Sequence, residues 1–424
     1  MKLQKIIERL QKLHPKKIDL NLDRIQNLCK KLGNPQENLD CISVVGTNGK
    51  YSTIQTLKAI LNEGKINCNI YTSPHIQKIN ERFVYDNNEI EDDDLANLLS
   101  EVEKINNNEQ ITFFEILTAA FFYGAKKYSN NITLVETGLF HRFDATNILK
   151  KNLATVITTI GLDHLDWLPK NEQTLDKIIF EKTSSLLESN IVISKQASED
   201  ILDKIKSSIK ENKSKKIIFN DHYNYSINEN DFFNYEDEFG NLKLPFPNLI
   251  GQFQLINIST AIATIRNLRN LNINNKQIKE GITKIKSIAR LQEIKNGKLK
   301  NLIKNNKLFI DGSHNPLGAK VLSEYLDTLN CKKHMILGMM LNKDHNKYLS
   351  YFKGKISSLT TIDIPNQKNA IKRKELKNKL KLEGLEINSK PSIQEAIRSI
   401  PIKNNEIILI TGSLYLAGEV LNLN

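Results

Sequence analysis

Short apolar runs alternate with helix-patterned segments along most of the chain, and this rhythm constrains the fold more than any other feature. Residues 41–45, 67–71, 132–136, 154–160 and 190–194 read as buried strands, with helical patterns at 52–63, 92–106 and 113–128 between them. The same alternation returns with strand-like runs at 308–311, 334–337 and 406–411. Continuous apolar strands joined by helices predict an α/β fold with doubly wound sheets, and argue against a helical bundle or a β-sandwich. At 424 residues the chain exceeds one ordinary core, so two domains are expected. The helical stretch 274–285 gives way to residues 286–292 and a polar turn at 295–298, which places the boundary so that the domains are 1–288 and 289–424. No internal repeat is visible, and the polar segment 220–241 reads as loops and edge hairpins.

Composition narrows the class. A content of 40% hydrophobic and 25% charged residues is that of a globular protein. No run approaches the roughly eighteen apolar residues of a membrane span. The start, Met1-Lys2-Leu3-Gln4-Lys5, reads as the first turn of an amphipathic helix and not as a signal sequence. Cys29, Cys41, Cys68 and Cys331 are scattered, with no CxxC pair, which argues for a reducing cytoplasm and against a zinc site or a disulfide framework. The net charge of +12 invites a nucleic-acid reading. Lysine, asparagine and isoleucine are abundant everywhere, however, as A/T-rich codons would make them, and residues 204–216 read as one solvated helix face. No aromatic-basic interleaving or recognition module accompanies the charge, so neither a nucleic acid nor a membrane is an expected partner. An anionic small molecule, such as a nucleotide or a polyglutamate, is compatible with it.

The strongest local signal is Val45-Gly46-Thr47-Asn48-Gly49-Lys50-Tyr51-Ser52-Thr53, placed after a strand and before a helix. Glycines there let main-chain N–H groups face an anion, and the helix N-terminus adds a favourable dipole. A lysine can meet the β- and γ-phosphates and a serine hydroxyl can ligate Mg²⁺. The strict pattern GxxxxGK[ST] is not met, and an ordinary glycine-containing turn is the alternative. Two further clusters sit at strand ends: one runs from Glu136 through Gly138, His141 and Arg142 to Asp144 and Asn147, the other from Thr158 to His164. A carboxylate at a strand end suits Mg²⁺, which prefers hard oxygen donors. Singly, each cluster fits a helix cap or a structural histidine; three together favour a ligand site.

These motifs, taken in order, resemble the folylpolyglutamate synthase/dihydrofolate synthase group of the Mur-ligase superfamily. Gly46 to Lys50 is followed by Tyr71-Thr72-Ser73-Pro74-His75 and Asn80-Glu81-Arg82, then by Thr112-Phe113-Phe114-Glu115 with Thr118. Asp144 to Asn147, Ile160 to His164 and Glu181-Lys182 continue the likeness, and Gly251, Gln254, Asn257 and Arg290-Leu291-Gln292 carry it to the domain junction. Asp311-Gly312-Ser313-His314-Asn315-Pro316, Lys343-Asp344 and Gly412 to Gly418 complete it, so the resemblance spans nearly the whole chain. It implies a P-loop ATPase-like first domain holding ATP and Mg²⁺, and a smaller Rossmann-like second domain that closes over the nucleotide and excludes water. The implied reaction is ligation of L-glutamate to a folate-type acid through an acyl phosphate, by a monomer.

Carried over by position, the resemblance implies that Gly46, Thr47, Asn48, Gly49, Lys50, Ser52 and Thr53 cradle ATP, joined by Asn257, Arg290, Asp311 and His314. Ser52, Glu136 and His164 match metal ligands, and Lys50, His164 and Lys182 match catalytic positions. Lys182 corresponds to a carbamylated lysine; a plain surface lysine is the alternative. The run 13–22, with Asp19, Leu20 and Leu22, resembles the pterin-side loop of bifunctional members that accept both dihydropteroate and tetrahydrofolate. Phe113, Phe114 and Asp144 resemble further pteroate contacts, with core packing the alternative for Phe113. Ser73, His75 and Ser413 match glutamate-binding positions.

The chain also departs from the family pattern. Tyr51 stands where glycine is usual, Phe140-His141 replaces a Gly-Gly pair, Phe253 replaces a histidine, and Lys182 lacks the Ala-Gly that usually follows it. The spacing from His164 to Lys182 is lengthened within 168–173. These leave polyglutamylation alone, or a non-catalytic ATP-binding homologue, as competing readings. A peptidoglycan-building Mur ligase is disfavoured, because the phosphate loop begins at residue 46 with no UDP-sugar domain before it.

Overall fold

The computed structural model describes residues 2–16, 19–227, 232–382 and 384–424. They form two compact units. One comprises the chain through His164, Leu168–Asn248 and Leu255–Ile285; the other comprises Leu165–Trp167, Leu249–Gln254 and Lys286–Asn424.

The first unit is built on strands β1 (Asp40–Val45), β2 (Cys68–Tyr71), β3 (Phe83–Tyr85), β4 (Asn88–Glu89), β5 (Ile132–Glu136), β6 (Ala154–Ile157), β7 (Asn190–Ile193) and β8 (Lys216–Ile218). They lie in the order β4-β3-β2-β5-β1-β6-β7-β8. All pairs are parallel except β2–β3 and β3–β4. The inner strands are apolar on both faces because helices cover both sides, which is why they read as unbroken runs in the sequence. The chain moves to one side of β1 for β2 to β5 and to the other for β6 to β8. The C-terminal end of β1 is therefore a topological switch point, the place where such sheets collect ligands.

The strand expected over 154–160 stops at Ile157, and there is a physical reason. Thr158 N–H still reaches Val45 O, at 2.8 Å, but the next residues leave the ladder to support the loop that follows β1. The polar segment 220–241 departs from expectation in a different way. Its hairpins do not extend an edge of the main sheet: β9 (Tyr223–Ile227), β10 (Phe232–Asp237) and β11 (Gly240–Pro245) pair as a separate antiparallel sheet ordered β11-β10-β9. The stretch 204–216 is likewise not one helix: the helix Glu199–Ser208 ends within it and β8 begins at its close.

The second unit contains β12 (Gln292–Ile294), β13 (Lys307–Ile310), β14 (Lys333–Leu337), β15 (Ser358–Thr361), β16 (Ile387–Ser389) and β17 (Ile407–Thr411). Their order is β12-β13-β17-β14-β15-β16, with only β12–β13 antiparallel. Phe309, Met335, Leu337, Tyr348, Phe352 and Leu409 form its core. Among the described residues no helix is long and apolar enough to cross a membrane.

Candidate active site

Beyond β1 the chain turns through Gly46 and Gly49 into the helix Lys50–Glu63. Gly49 has φ +94°, and a Cβ there would lie 2.3 Å from Asn257 Oδ1; a Cβ on Gly46 would lie 2.0 Å from Thr158 Oγ1. Glycine is thus demanded at both positions by close packing, and at Gly49 by backbone conformation too. The loop is also held from the β6 side. Thr159 O accepts hydrogen bonds from Thr47 N–H and Asn48 N–H, at 3.0 and 3.2 Å. Thr47 Oγ1 donates to Gly161 O and accepts from Gly161 N–H, both at 3.0 Å. With those N–H groups engaged, anion-binding capacity concentrates in the first turn of the helix, which carries no side-chain cap. Lys50 lies over the loop: its Nζ donates to Gly46 O and Thr47 O, at 3.2 and 3.3 Å, and stands 3.9 Å from Glu136 Oε1. Ser52 is buried in the same turn, and Thr53 Oγ1 is a buried hydroxyl with no hydrogen-bond partner among the described residues.

Glu136 ends β5, beside β1, and its Oε2 accepts from Ser73 N–H at 3.2 Å. His164 has φ +59°, unusual for a residue with a side chain, and its N–H bonds Asp163 Oδ1 at 2.9 Å. Its ring Nε2 lies 3.9 Å from Asp163 Oδ2. Among the described residues there is no group of three or more His, Cys, Asp or Glu that could hold a metal ion. Mg²⁺ does not require such a cage, because it commonly takes one or two carboxylates and completes its shell with phosphate and water. A buried carboxylate and a buried hydroxyl next to a phosphate loop fit an ion that arrives with a nucleotide.

Lys182, on the helix Leu175–Thr183, reaches the loop from below. Its Nζ donates to Gly46 O and Leu139 O, each at 3.0 Å, and the Phe140 ring centroid lies 5.8 Å away. Burial, and then the charge of Lys50, bring its pKa down to about 7. It is therefore not a surface lysine. Its neighbour Glu181 is engaged by Arg142 in a two-pronged ion pair, at 2.9 and 2.6 Å.

The residues matched to pteroate contacts fall into two sets. Asp144 is buried with both oxygens occupied: Oδ2 accepts from Gly138 N–H and Leu139 N–H, and Oδ1 from the N–H and hydroxyl of Thr146. Burial raises its pKa despite those donors. It shapes the loop after β5. Phe114 stacks on Tyr71 at 6.0 Å, and Phe113 packs half-buried against the core. Lys17 and Ile18, in the run expected to form the pterin-side loop, lie outside the described residues. Asp19, Leu20 and Leu22 precede the helix Asp23–Lys31, and Asp19 is gripped by a residue the motif reading missed, Arg24. No local pattern marks Arg24, because its partner Glu115 is 91 positions away.

Of the residues matched to glutamate binding, Ser73 adjoins Glu136 as above, and His75 Nδ1 accepts from Arg82 Nε at 2.9 Å. Burial, with Arg82 beside it, lowers the pKa of His75 to about 4, so the ring is neutral.

In the second unit, Arg290, Asp311, His314 and Ser413 gather around the ends of β13 and β17. Asp311 accepts from Leu291 N–H and Ser313 N–H, both at 2.7 Å, and burial raises its pKa against the pull of Arg290. His314 Nδ1 lies 2.9 Å from Gly312 O. Ser413 caps the helix Leu414–Leu423.

The Mur ligase, glutamate ligase domain family matches residues 297–414. Over longer spans the chain is 27% identical to the dihydrofolate synthase/folylpolyglutamate synthase of Haemophilus influenzae, covering 97% of this chain and 94% of the relative. It is 28% identical to the Escherichia coli protein of the same name, over 81% and 78%. The solved structure of E. coli FolC in complex with DHPP and ADP superimposes with a TM-score of 0.86, at 25% identity, over 99% of this chain and 97% of that one. Over nearly its whole length the chain is similar to members of the folylpolyglutamate synthase/dihydrofolate synthase family. A Yersinia pestis member, complexed with AMPPNP and Mn ion, shares the fold at a TM-score of 0.86 and 22% identity.

Against the family pattern, the departures find places in this structure. Tyr51 is half-buried in the first turn of the loop helix. Phe140 is buried against Lys182, and His141, also buried, pairs its Nδ1 with Ser185 Oγ at 3.0 Å. Phe253 packs against the core of the second unit.

Proposed function

We propose that this chain is an ATP-dependent ligase that adds L-glutamate to dihydropteroate, forming dihydrofolate, and to tetrahydrofolate, forming polyglutamates. The observation that carries the reading is the placement of Lys50 at the β1 switch point, in a glycine loop and 3.9 Å from the buried Glu136. In this reading the loop from Gly46 to Thr53 and Asn257 hold the phosphates, and Lys50 places its charge where negative charge accumulates as the γ-phosphoryl group moves. Arg290, Asp311 and His314 are the nucleotide contacts of the second unit, residues 289–424, and residues 1–288 make up the ATP- and folate-binding domain. Ser52, Glu136 and His164 would hold Mg²⁺, which when bound supplies Lewis-acid stabilisation of phosphate oxygens. The acceptor carboxylate attacks the γ-phosphorus and releases ADP. The glutamate amine, oriented by groups near Ser73, His75 and Ser413, then attacks the acyl phosphate and expels inorganic phosphate. Lys182, with its depressed pKa, has the neutral amine that a carbamate requires. Phe113, Phe114, Asp19, Leu20 and Leu22 form the pteroate surface, shaped by Asp144. The enzyme works as a cytoplasmic monomer.

The test is incubation with ATP, Mg²⁺ and labelled L-glutamate, with dihydropteroate and tetrahydrofolate offered separately and products followed by mass. Glutamate addition to both acceptors is expected. Addition to tetrahydrofolate alone would reduce the activity to polyglutamylation, and nucleotide binding without any product would mark a non-catalytic homologue.

A further inference from the structure

Arg24 ties the loop carrying Asp19, Leu20 and Leu22 to the helix that presents Phe113 and Phe114. Its Nη1 donates to Asp19 Oδ2 and its Nη2 to Asp19 O, each at 2.9 Å. On the other side, Nε and Nη2 donate to the two oxygens of Glu115, at 3.1 and 3.0 Å. Glu115 is the third residue of the helix Phe113–Ala125, and the same Oε2 accepts from Thr112 N–H at 2.7 Å in a capping box. The guanidinium fork therefore locks the N-terminal turn of this helix to the loop in both distance and orientation. Glu115 is buried, and its carboxylate is met by the Arg24 fork and by the Thr112 N–H of the cap. On the Asp19 side, Lys16 Nζ donates to Oδ1 at 3.2 Å, and His14 Nε2 stands 3.8 Å from Oδ2.

We infer that Arg24 is a positioning residue for the ring end of the acceptor and sets the preference for dihydropteroate over tetrahydrofolate. The inference rests on the dual-acceptor reading above. Its logic is a division of binding energy. Dihydropteroate has one carboxylate, the reacting one, so its remaining affinity must come from the fused ring and the aminobenzoyl group. Tetrahydrofolate adds a glutamate with two carboxylates and so has a second handle. Loosening the wall between Asp19 and Phe113–Phe114 should therefore penalise the first acceptor far more than the second.

The experiment compares wild type with Arg24→Lys, which keeps a cation beside Glu115 but loses the fork, and with Asp19→Asn, which weakens the loop half and leaves the Arg24–Glu115 half intact. Binding of pteroate is measured by calorimetry in the presence of ADP, and KM and kcat are measured for each acceptor and for ATP. The expected result is a rise in KM of ~10-fold or more for dihydropteroate in both variants, with KM for tetrahydrofolate and ATP changed less than ~3-fold. Equal losses for both acceptors, or unchanged pteroate binding in both variants while wild type uses dihydropteroate, would overturn the role of Arg24 and leave the dual reading standing. Wild-type protein that neither binds pteroate nor glutamylates dihydropteroate would overturn both. A lower unfolding temperature with the KM ratio between acceptors unmoved would reduce Arg24 to a structural clamp and reject the inference.

Discussion

Lys182 Nζ and the main-chain oxygen of Gly46 are 3.0 Å apart, which joins a buried amine on one helix directly to the first residue of the phosphate loop. The same nitrogen reaches Leu139 O in the loop after β5. Two strand-end loops are thus fixed to each other through one side chain whose charge is costly where it lies. Burial and Lys50 both oppose protonation.

The first prediction follows from that cost. Unfolded, Lys182 titrates near its ordinary 10.5, and folded near 7. Between those values the unfolded chain binds the extra proton, so this site makes the protein more stable as pH rises from about 7 towards 10.5. Lys182→Met removes the titration and should flatten that part of a plot of unfolding temperature against pH. The neutral amine should also take up carbon dioxide, giving a carbamate resonance with ¹³C-bicarbonate that is absent from the methionine variant. A pH profile unaltered by the substitution would show that the ammonium is not penalised.

Gly49 tests the loop geometry. At φ +94°, with Asn257 Oδ1 2.3 Å from where a Cβ would sit, Gly49→Ala must move either the loop or Asn257. Strain of ~1–3 kcal/mol is expected, along with a large rise in KM for ATP. Gly33→Ala is the control: its φ is +78°, so it carries conformational strain, but nothing lies within 4 Å of its Cβ. It should lower stability without raising KM for ATP. Equal effects on ATP use would remove the special status of the loop.

Much of this was legible in the sequence, and the limits have a physical cause. The strand 132–136 and the helix 92–106 appear with the expected boundaries, because apolar periodicity is a local property. So is the glycine turn after β1. Pairings between distant positions leave no local mark. The Arg24–Glu115 clamp, the support of Thr47 by Gly161, and the reach of Lys182 to Gly46 join residues far apart in the chain. Residues 220–241 form hairpins as expected, but their joining into a sheet of their own leaves no local mark. Among the described residues of this segment Tyr223, Phe233 and Tyr235 turn inward.

His141 gives the acid limb. Burial, reinforced by Lys182, lowers its pKa from 6.5 to about 4. Below pH 6.5 the unfolded chain protonates a ring that the folded chain keeps neutral until about 4, so stability falls as pH drops across that window. His141→Asn can still hydrogen-bond Ser185 and does not titrate. It should make the unfolding temperature less steep between those pH values. An equally steep limb in the variant would assign the acid sensitivity to other groups.

Asp237 and Arg266 test what holds the small antiparallel sheet in place. Asp237 ends β10, and Arg266 lies on the helix Gln254–Asn267; their side chains are only 2% and 7% exposed. Two contacts, Nε to Oδ2 at 2.8 Å and Nη2 to Oδ1 at 2.9 Å, form a fork, and Tyr235 donates to Oδ2 at 2.9 Å. Desolvating both charges offsets most of their attraction, so the pair contributes little beyond what apolar packing would give. Removing one partner is different, because it strands the other charge in a buried site. Asp237→Leu should cost ~3–5 kcal/mol, whereas Asp237→Leu with Arg266→Met should recover most of that loss. Urea unfolding of the two single variants and the double variant closes the cycle. Additive losses would mean that Arg266 keeps water or other partners when Asp237 is gone, and that the sheet is held by packing alone.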